Sequence, residues 1–221
     1  MAKAVIFDLD GTLLDTERDQ GFWWHVFDRV FRPYGVLDVH GTAYNGRRIL
    51  DNIRVIRERS GIPDTVEAIH ERMQEIITDL IPQYVRCFPG VHDVLEQVRR
   101  CGYRLALTTS STRPYVDATL MHVGLTGAFD TIVTGELVEH GKPDPAIYAR
   151  TLAELGLPAD ACIVVEDAVS GFQSAHAAGI PVIVVPTEPD MPRVDFRGAV
   201  AIVPRLVDIL QIIPCPADGA H

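Results

Sequence analysis

Lysine is almost missing from this chain. Of its 20 basic residues only Lys3 and Lys142 are lysines, and the rest are arginines. Any role that calls for a lysine therefore falls on one of two positions. Positive charge is short overall: 30 acidic residues face those 20 basic ones, the net charge is −10, and no basic run occurs. This balance speaks against a nucleic-acid footprint or an anionic membrane surface as partner. An anionic substrate would have to be held by local charge. Cysteine is limited to Cys87, Cys101, Cys162 and Cys215, far apart and without a C-x-x-C pair. That usage predicts reduced, mostly buried thiols in a reducing compartment. Apolar runs of membrane-spanning length, a charged-then-apolar opening, internal repeats and low-complexity stretches are all lacking, so a soluble, cytoplasmic protein is expected.

What is present suffices for a large core. The chain has 221 residues and 47% hydrophobic content, enough for one large domain or a core with a smaller insertion. Ala4-Val5-Ile6-Phe7 reads as a buried strand that stops at Asp8-Leu9-Asp10-Gly11-Thr12. Leu13 to Arg18 reads as a polar exit from the sheet. Phe22, Trp23, Val26, Phe27, Val30 and Phe31 then recur at helical spacing. Ile49, Ile53 and Ile56 form a second helical stripe. A third runs through Val66, Ile69, Met73, Ile76, Ile77 and Leu80, with Pro82 expected to close it. Beyond Cys87-Phe88-Pro89-Gly90 the pattern alternates: strands near 104–108, 131–133, 162–165 and 182–185, helices between them, and a last helix over about 206–212. Alternation of this kind implies an α/β fold with a parallel sheet. The expected division is a core of 1–14 and 89–221 and a helical cap of 15–88.

Four polar groups fall where strands end: Asp8 with Asp10, Thr108-Thr109-Ser110-Ser111, Gly141-Lys142-Pro143-Asp144-Pro145, and Glu166-Asp167. In an open parallel sheet such ends face one crevice. Carboxylates supply hard oxygen ligands that suit Mg²⁺, Thr109 offers a hydroxyl, and Lys142 offers a point charge. Acids, a cation and a metal around a phosphoryl group form a site for phosphoryl transfer.

In these motifs, over nearly its whole length, the sequence resembles the haloacid dehalogenase superfamily, in the phosphatase branch with a helical cap inserted after the first motif, close to the phosphoglycolate phosphatases and β-phosphoglucomutases. Asp8-Leu9-Asp10-Gly11-Thr12 matches the first motif, Thr109 the second, Lys142 the third, and Glu166-Asp167 with Gly171 the fourth. The resemblance implies a Rossmann-like core and a Mg²⁺-dependent phosphomonoester hydrolase acting on a small phosphorylated metabolite. Asp8 is then the nucleophile that forms an aspartyl-phosphate, and Asp10 the proton shuttle. Leu9, Thr109 and Ser110 hold the phosphate and Lys142 neutralises charge. Asp8, Asp10 and Asp167 bind the metal, with Glu166 acting directly or through water.

Departures from the family's other branches narrow the chemistry. True dehalogenases lack the acid found here as Asp10. Phosphonoacetaldehyde hydrolases use a cap lysine as a Schiff base, and no lysine lies between Lys3 and Lys142. β-Phosphoglucomutases carry a histidine where Gln20 stands, and a glycine-x-x-arginine and a lysine in the cap. Here Gly46 is followed by Arg47-Arg48-Ile49 and the lysine is absent, which favours hydrolysis. Arg47 or Arg48 as a grip on an anionic group keeps the mutase as the alternative. A non-catalytic phosphate-binding protein on this scaffold lacks support, because every motif position is filled. A receiver-like signalling domain would carry its phosphorylated aspartate on a later strand and no helical insertion. Trp23 and Trp24 are assigned to core packing, because their neighbours at helical spacing are apolar. Thr108, Ser110 and Ser111 also suit loop and capping roles, the histidines show no metal-ligand spacing, and the tail from Pro214 is expected to fray. Oligomeric state is open between monomer and homodimer.

Overall fold

The computed structural model describes residues 3–17, 20–37, 47–186 and 196–215. Arg18, Gly46 and residues beyond 215, named above, lie outside these. Six parallel strands form the sheet: β1 (Lys3–Phe7), β2 (Tyr103–Thr108), β3 (Thr131–Val133), β4 (Cys162–Glu166), β5 (Val182–Val184) and β6 (Ala201–Ile202). Their order is β3-β2-β1-β4-β5-β6. The chain winds outward from β1 to one side through β2 and β3, and to the other through β4, β5 and β6. The order thus reverses at β1, and the crevice at such a switch point is where open α/β sheets bind ligands. The two-residue β6 is too short to show as a periodic pattern.

Strand periodicity divides the core in two. Val5 and Phe7 of β1 join the cluster on one sheet face, with α4 (Val91–Arg100) and α5 (Arg113–His122). Ala4 and Ile6 join the other, with α6 (Ala146–Leu155) and α7 (Val169–Ala177). The helical insertion carries, among its described residues, the α-helices α1 (Phe22–Phe31), α2 (Ile49–Ser60) and α3 (Val66–Tyr84). Each buries the stripe read from the sequence: Phe22, Val26 and Val30 in α1, Ile53 and Ile56 in α2, Ile69, Met73, Ile77 and Leu80 in α3. Helices α1 and α3 pack together, and α3 reaches α5. The apolar core therefore runs without a break from the first sheet face into the insertion.

Several expectations need correction. Pro82 does not end α3, which continues to Tyr84. A proline in the last turn costs only one intrahelical bond, the Val85 N–H still closes on Ile81 O at 3.0 Å, and Arg86 Nη1 donates to Pro82 O at 3.2 Å. Leu13 to Thr16 is not a polar exit. Leu13, Leu14 and Thr16 are buried, and Leu14 bridges to both Asp10 and Cys87, which ties the start of the insertion to its end. The last helix is a 3₁₀ segment, Leu206–Gln211. Among the described residues no helix is long and apolar enough to cross a membrane.

The cysteines are not all free thiols. Cys101, just past α4, and Cys215 form a disulfide with Cα atoms 4.9 Å apart, which leaves Cys87 and Cys162. The two partners are 114 residues apart in sequence, so spacing gives no hint of the pairing. The tail is held at Pro214 as well, whose carbonyl accepts from the Tyr103 hydroxyl at 2.8 Å. Alkylation of the unfolded protein without reductant should label only Cys87 and Cys162, and after reduction all four cysteines. Cys215→Ser should lower stability by about 2–4 kcal/mol. Four labelled thiols without reductant, or an unchanged melting temperature, would contradict the pairing.

Candidate active site

The register of the central strands assembles the site. Phe7 pairs with Leu107 on one side and Val165 on the other. One step further along, Asp8 emerges between the ends of β2 and β4, its N–H bonded to Val165 O at 3.0 Å. Lys142 enters from the loop after β3 and is fully buried as a side chain. Its Nζ donates to Asp8 Oδ1 at 2.5 Å and to Glu166 Oε1 at 2.6 Å. Its ammonium also lies 5.3 Å from the ring centroid of Tyr148, a cation–π arrangement.

Glu166 is held from every side. Beyond Lys142, its Oε1 accepts from the Tyr148 hydroxyl at 2.8 Å. Its Oε2 accepts from the backbone N–H groups of Asp167 and Ala168 at 3.1 and 3.3 Å. Gly171 makes room for this carboxylate, since a β-carbon there would lie 1.9 Å from Glu166 Oε1. Asp167 receives the Thr12 hydroxyl at 3.1 Å. It presses on Gly11, whose φ of +83° suits glycine and where a β-carbon would meet Asp167 Oδ2 at 2.2 Å. Two glycines of the motifs are thus the space that two acids occupy.

Asp10 is bound differently. Its Oδ1 accepts from Thr16 Oγ1 at 2.7 Å, Trp23 Nε1 at 3.1 Å and Tyr115 Oη at 2.7 Å, and its Oδ2 from Ser111 Oγ at 2.8 Å. Trp23 is therefore more than packing: its ring joins Phe22, Phe27 and Tyr115, and its edge addresses the site. Ser111 is likewise more than a loop residue. Thr109 is buried and its Oγ1 accepts from Ser111 N at 3.1 Å, beside Ser110.

Asp8, Asp10, Thr109 and Ser110 line the sheet side of a cleft. Trp23, Arg47, Ile49 and Asn52 line its insertion side. The two arginines separate here. Arg47 is exposed at the cleft. Arg48 turns away to pair with Asp51 at 2.8 Å and donate to Val138 O at 3.0 Å, joining insertion to core. The Leu9 side chain is fully buried, so only its backbone can face the cleft.

Four buried carboxylates, Asp8, Asp10, Glu166 and Asp167, stand against one buried ammonium, Lys142, among the described residues. Burial pushes Asp8 well above the usual carboxylate range; Lys142 opposes this, and Glu166 and Asp167 add to it. Burial works against the Lys142 ammonium, but Asp8 and Glu166 outweigh it and hold it well above the ordinary lysine value. Carboxylate oxygens of Asp8, Glu166 and Asp167 lie within 4.8 Å of one another. An all-oxygen donor set with excess negative charge fits a hard divalent cation.

Residues 5–185 match the family model of the haloacid dehalogenase-like hydrolases. The chain belongs to that family. Within it the chain stands in the phosphatase branch and is an enzyme of that kind. It is 34% identical to a phosphorylated carbohydrates phosphatase of Thermotoga maritima, over 96% of this chain and 98% of that one. Its fold matches CbbY from Rhodobacter sphaeroides in complex with phosphate, with a TM-score of 0.81 and 26% identity, covering 95% and 96% of the two chains. It also matches a putative β-phosphoglucomutase from Thermotoga maritima, with a TM-score of 0.74 and 31% identity over 95% and 97%.

The roles of Tyr115, Tyr148, Thr12 and Thr16 were not read from the sequence. The first two sit on helices as ordinary buried aromatics, and only the fold shows their hydroxyls facing acids. Because folding raises the Asp8 carboxyl above its unfolded value, metal-free protein loses stability as pH rises through the folded value, and the loss vanishes in acid. Metal-free Asp8→Asn should therefore melt higher than wild type at neutral pH, by a few degrees for about 1 kcal/mol, and the two should converge at low pH. A lower melting temperature for the variant at neutral pH would contradict this electrostatic reading.

Proposed function

We propose that the protein is a Mg²⁺-dependent phosphomonoester hydrolase that acts on a small phosphorylated metabolite through an aspartyl-phosphate on Asp8. The observation that carries this is the Lys142 ammonium at 2.5 Å from Asp8 Oδ1, beside Thr109 and Ser110, at the switch point of the sheet. A lysine so placed orients the nucleophile and offsets charge on an incoming phosphoryl group. In the first step Asp8 attacks phosphorus as Asp10 gives a proton to the departing alcohol oxygen. In the second, water attacks phosphorus, its proton passes to Asp10, and the Asp8–phosphorus bond breaks. Thr109, the Ser110 N–H and the backbone at Leu9 hold the phosphoryl oxygens throughout.

Asp8, Asp167 and the backbone carbonyl of Asp10 would hold a magnesium ion, which when bound supplies further neutralisation of the phosphate. Glu166, already engaged by Lys142 and Tyr148, would add its charge to that ion's surroundings and acts on the lysine directly. Residues 15–88 serve as a cap over the cleft, closing to exclude water. Arg47, exposed at the cleft, takes a second anionic group of the substrate. Together with the Thermotoga relative's activity on phosphorylated carbohydrates, this favours sugar phosphates. The cytoplasmic setting rests on the sequence; the Cys101–Cys215 pair speaks for a less reducing one.

A mutase reading draws support from structural relatives described as putative β-phosphoglucomutases. Against it stand the lack of a lysine between Lys3 and Lys142, and Gln20 in place of a histidine.

A panel of sugar and other metabolite phosphates should release inorganic phosphate with Mg²⁺ and not after chelation. Asp8→Asn should lower kcat by about 10⁴-fold or more. Arg47→Ala should raise KM about tenfold or more for esters with a second anionic group, and leave p-nitrophenyl phosphate unaffected. Isomerisation of a hexose phosphate without phosphate release would favour the mutase. Full activity of Asp8→Asn would remove the assignment.

A further inference from the structure

The two oxygens of Asp10 are not equivalent. Oδ1 takes three donors, from Thr16, Trp23 and Tyr115. A carboxylate oxygen has about two lone-pair sites, so Oδ1 is saturated. Its donors do not reverse readily. An indole N–H has no acceptor capacity, and the Tyr115 hydroxyl is buried against Asp10 Oδ1 at 2.7 Å. The Trp23 ring packs against Phe22 at 5.1 Å and Tyr115 at 5.2 Å between centroids, which holds the direction of its N–H. Oδ2 accepts from the Ser111 hydroxyl, a group that rotates and that accepts as easily as it donates.

We propose that Trp23 and Tyr115 are positioning residues for this reaction: they lock Oδ1 of Asp10, so that Oδ2 alone carries the transferred proton. The inference rests on the phosphatase reading above. In the first step the Oδ2 proton moves to the leaving oxygen as the P–O bond breaks and the Asp8–phosphorus bond forms, and Ser111 turns to donate to the vacated oxygen. In the second step the proton of the attacking water returns to Oδ2 as the Asp8–phosphorus bond breaks, and Ser111 turns back. Trp23 lies on α1 of the insertion and Tyr115 on α5 of the core, so the lock is complete only when the insertion is seated.

The test uses the dependence on leaving group. Loss of a proton donor hurts an alkyl phosphate, whose alcohol leaves as a strong base, far more than p-nitrophenyl phosphate, whose phenolate leaves unaided. Trp23→Phe keeps the aromatic packing and removes the N–H; Tyr115→Phe removes the hydroxyl from the core side. In each, kcat/KM for a hexose phosphate that the wild type hydrolyses should fall about tenfold or more relative to p-nitrophenyl phosphate, within the roughly 10²–10⁴-fold that proton transfer supplies. A general structural lesion would lower both esters alike. With near-UV circular dichroism confirming folding, equal losses on the two esters, or none, overturn the inference. Wild type that releases phosphate from neither ester overturns the phosphatase reading instead. If one variant fails to fold, the other gives the same readout.

Discussion

The buried ammonium of Lys142, shared between Asp8 and Glu166, is the interaction on which the site depends. Taking these charges out of water costs several kcal/mol per ion unless partners compensate. The fold supplies the partners one by one. Tyr148 and two backbone N–H groups saturate Glu166, and Gly171 and Gly11 leave the volume that the acids fill. The result is a fixed lysine between a braced carboxylate, Glu166, and one that faces the cleft, Asp8. Glu166 has four donors and no freedom. Asp8 carries the unrelieved part of the negative charge, facing the cleft.

That imbalance is a cost to the resting fold and a resource for the chemistry. Among the described residues, four buried acids against one buried base leave the crevice short of positive charge. A divalent cation would offset that deficit. Sites of this kind destabilise the empty protein and are retained because catalysis uses the stored electrostatic energy. Asp10 stands apart from this economy of charge. Its partners are neutral donors, two of them brought by the segment that enters the insertion, Thr16 and Trp23. Asp8 is thus governed by the core, and Asp10 by the contact of core with insertion.

Much of this was legible in the sequence. The parallel sheet, the helical insertion and its three apolar stripes follow from period-two and 3.6-residue patterns that burial enforces. So does the convergence of Asp8, Thr109, Lys142 and Glu166-Asp167, because each follows a strand and parallel strands end on one side. What was not legible depends on contacts between distant segments. Trp23 looked apolar by its neighbours because a single N–H leaves no mark on periodicity. Tyr115 and Tyr148 looked like core for the same reason. The Cys101–Cys215 pairing spans 114 residues, and Arg48 differs from Arg47 only by the turn of the backbone that aims one at Asp51 and Val138 and the other at the cleft.

The central claim is that Asp8 forms a covalent bond to phosphorus. Rapid acid quench of the enzyme mixed with Mg²⁺ and a hydrolysable phosphate ester, followed by peptide mass spectrometry, tests it directly. The account predicts a phosphoryl group on the peptide containing Asp8, labile to hydroxylamine as an acyl phosphate is, and absent from Asp8→Asn. A phosphoryl group on any other residue, or sustained turnover with an unmodified Asp8 at every quench time, would contradict it.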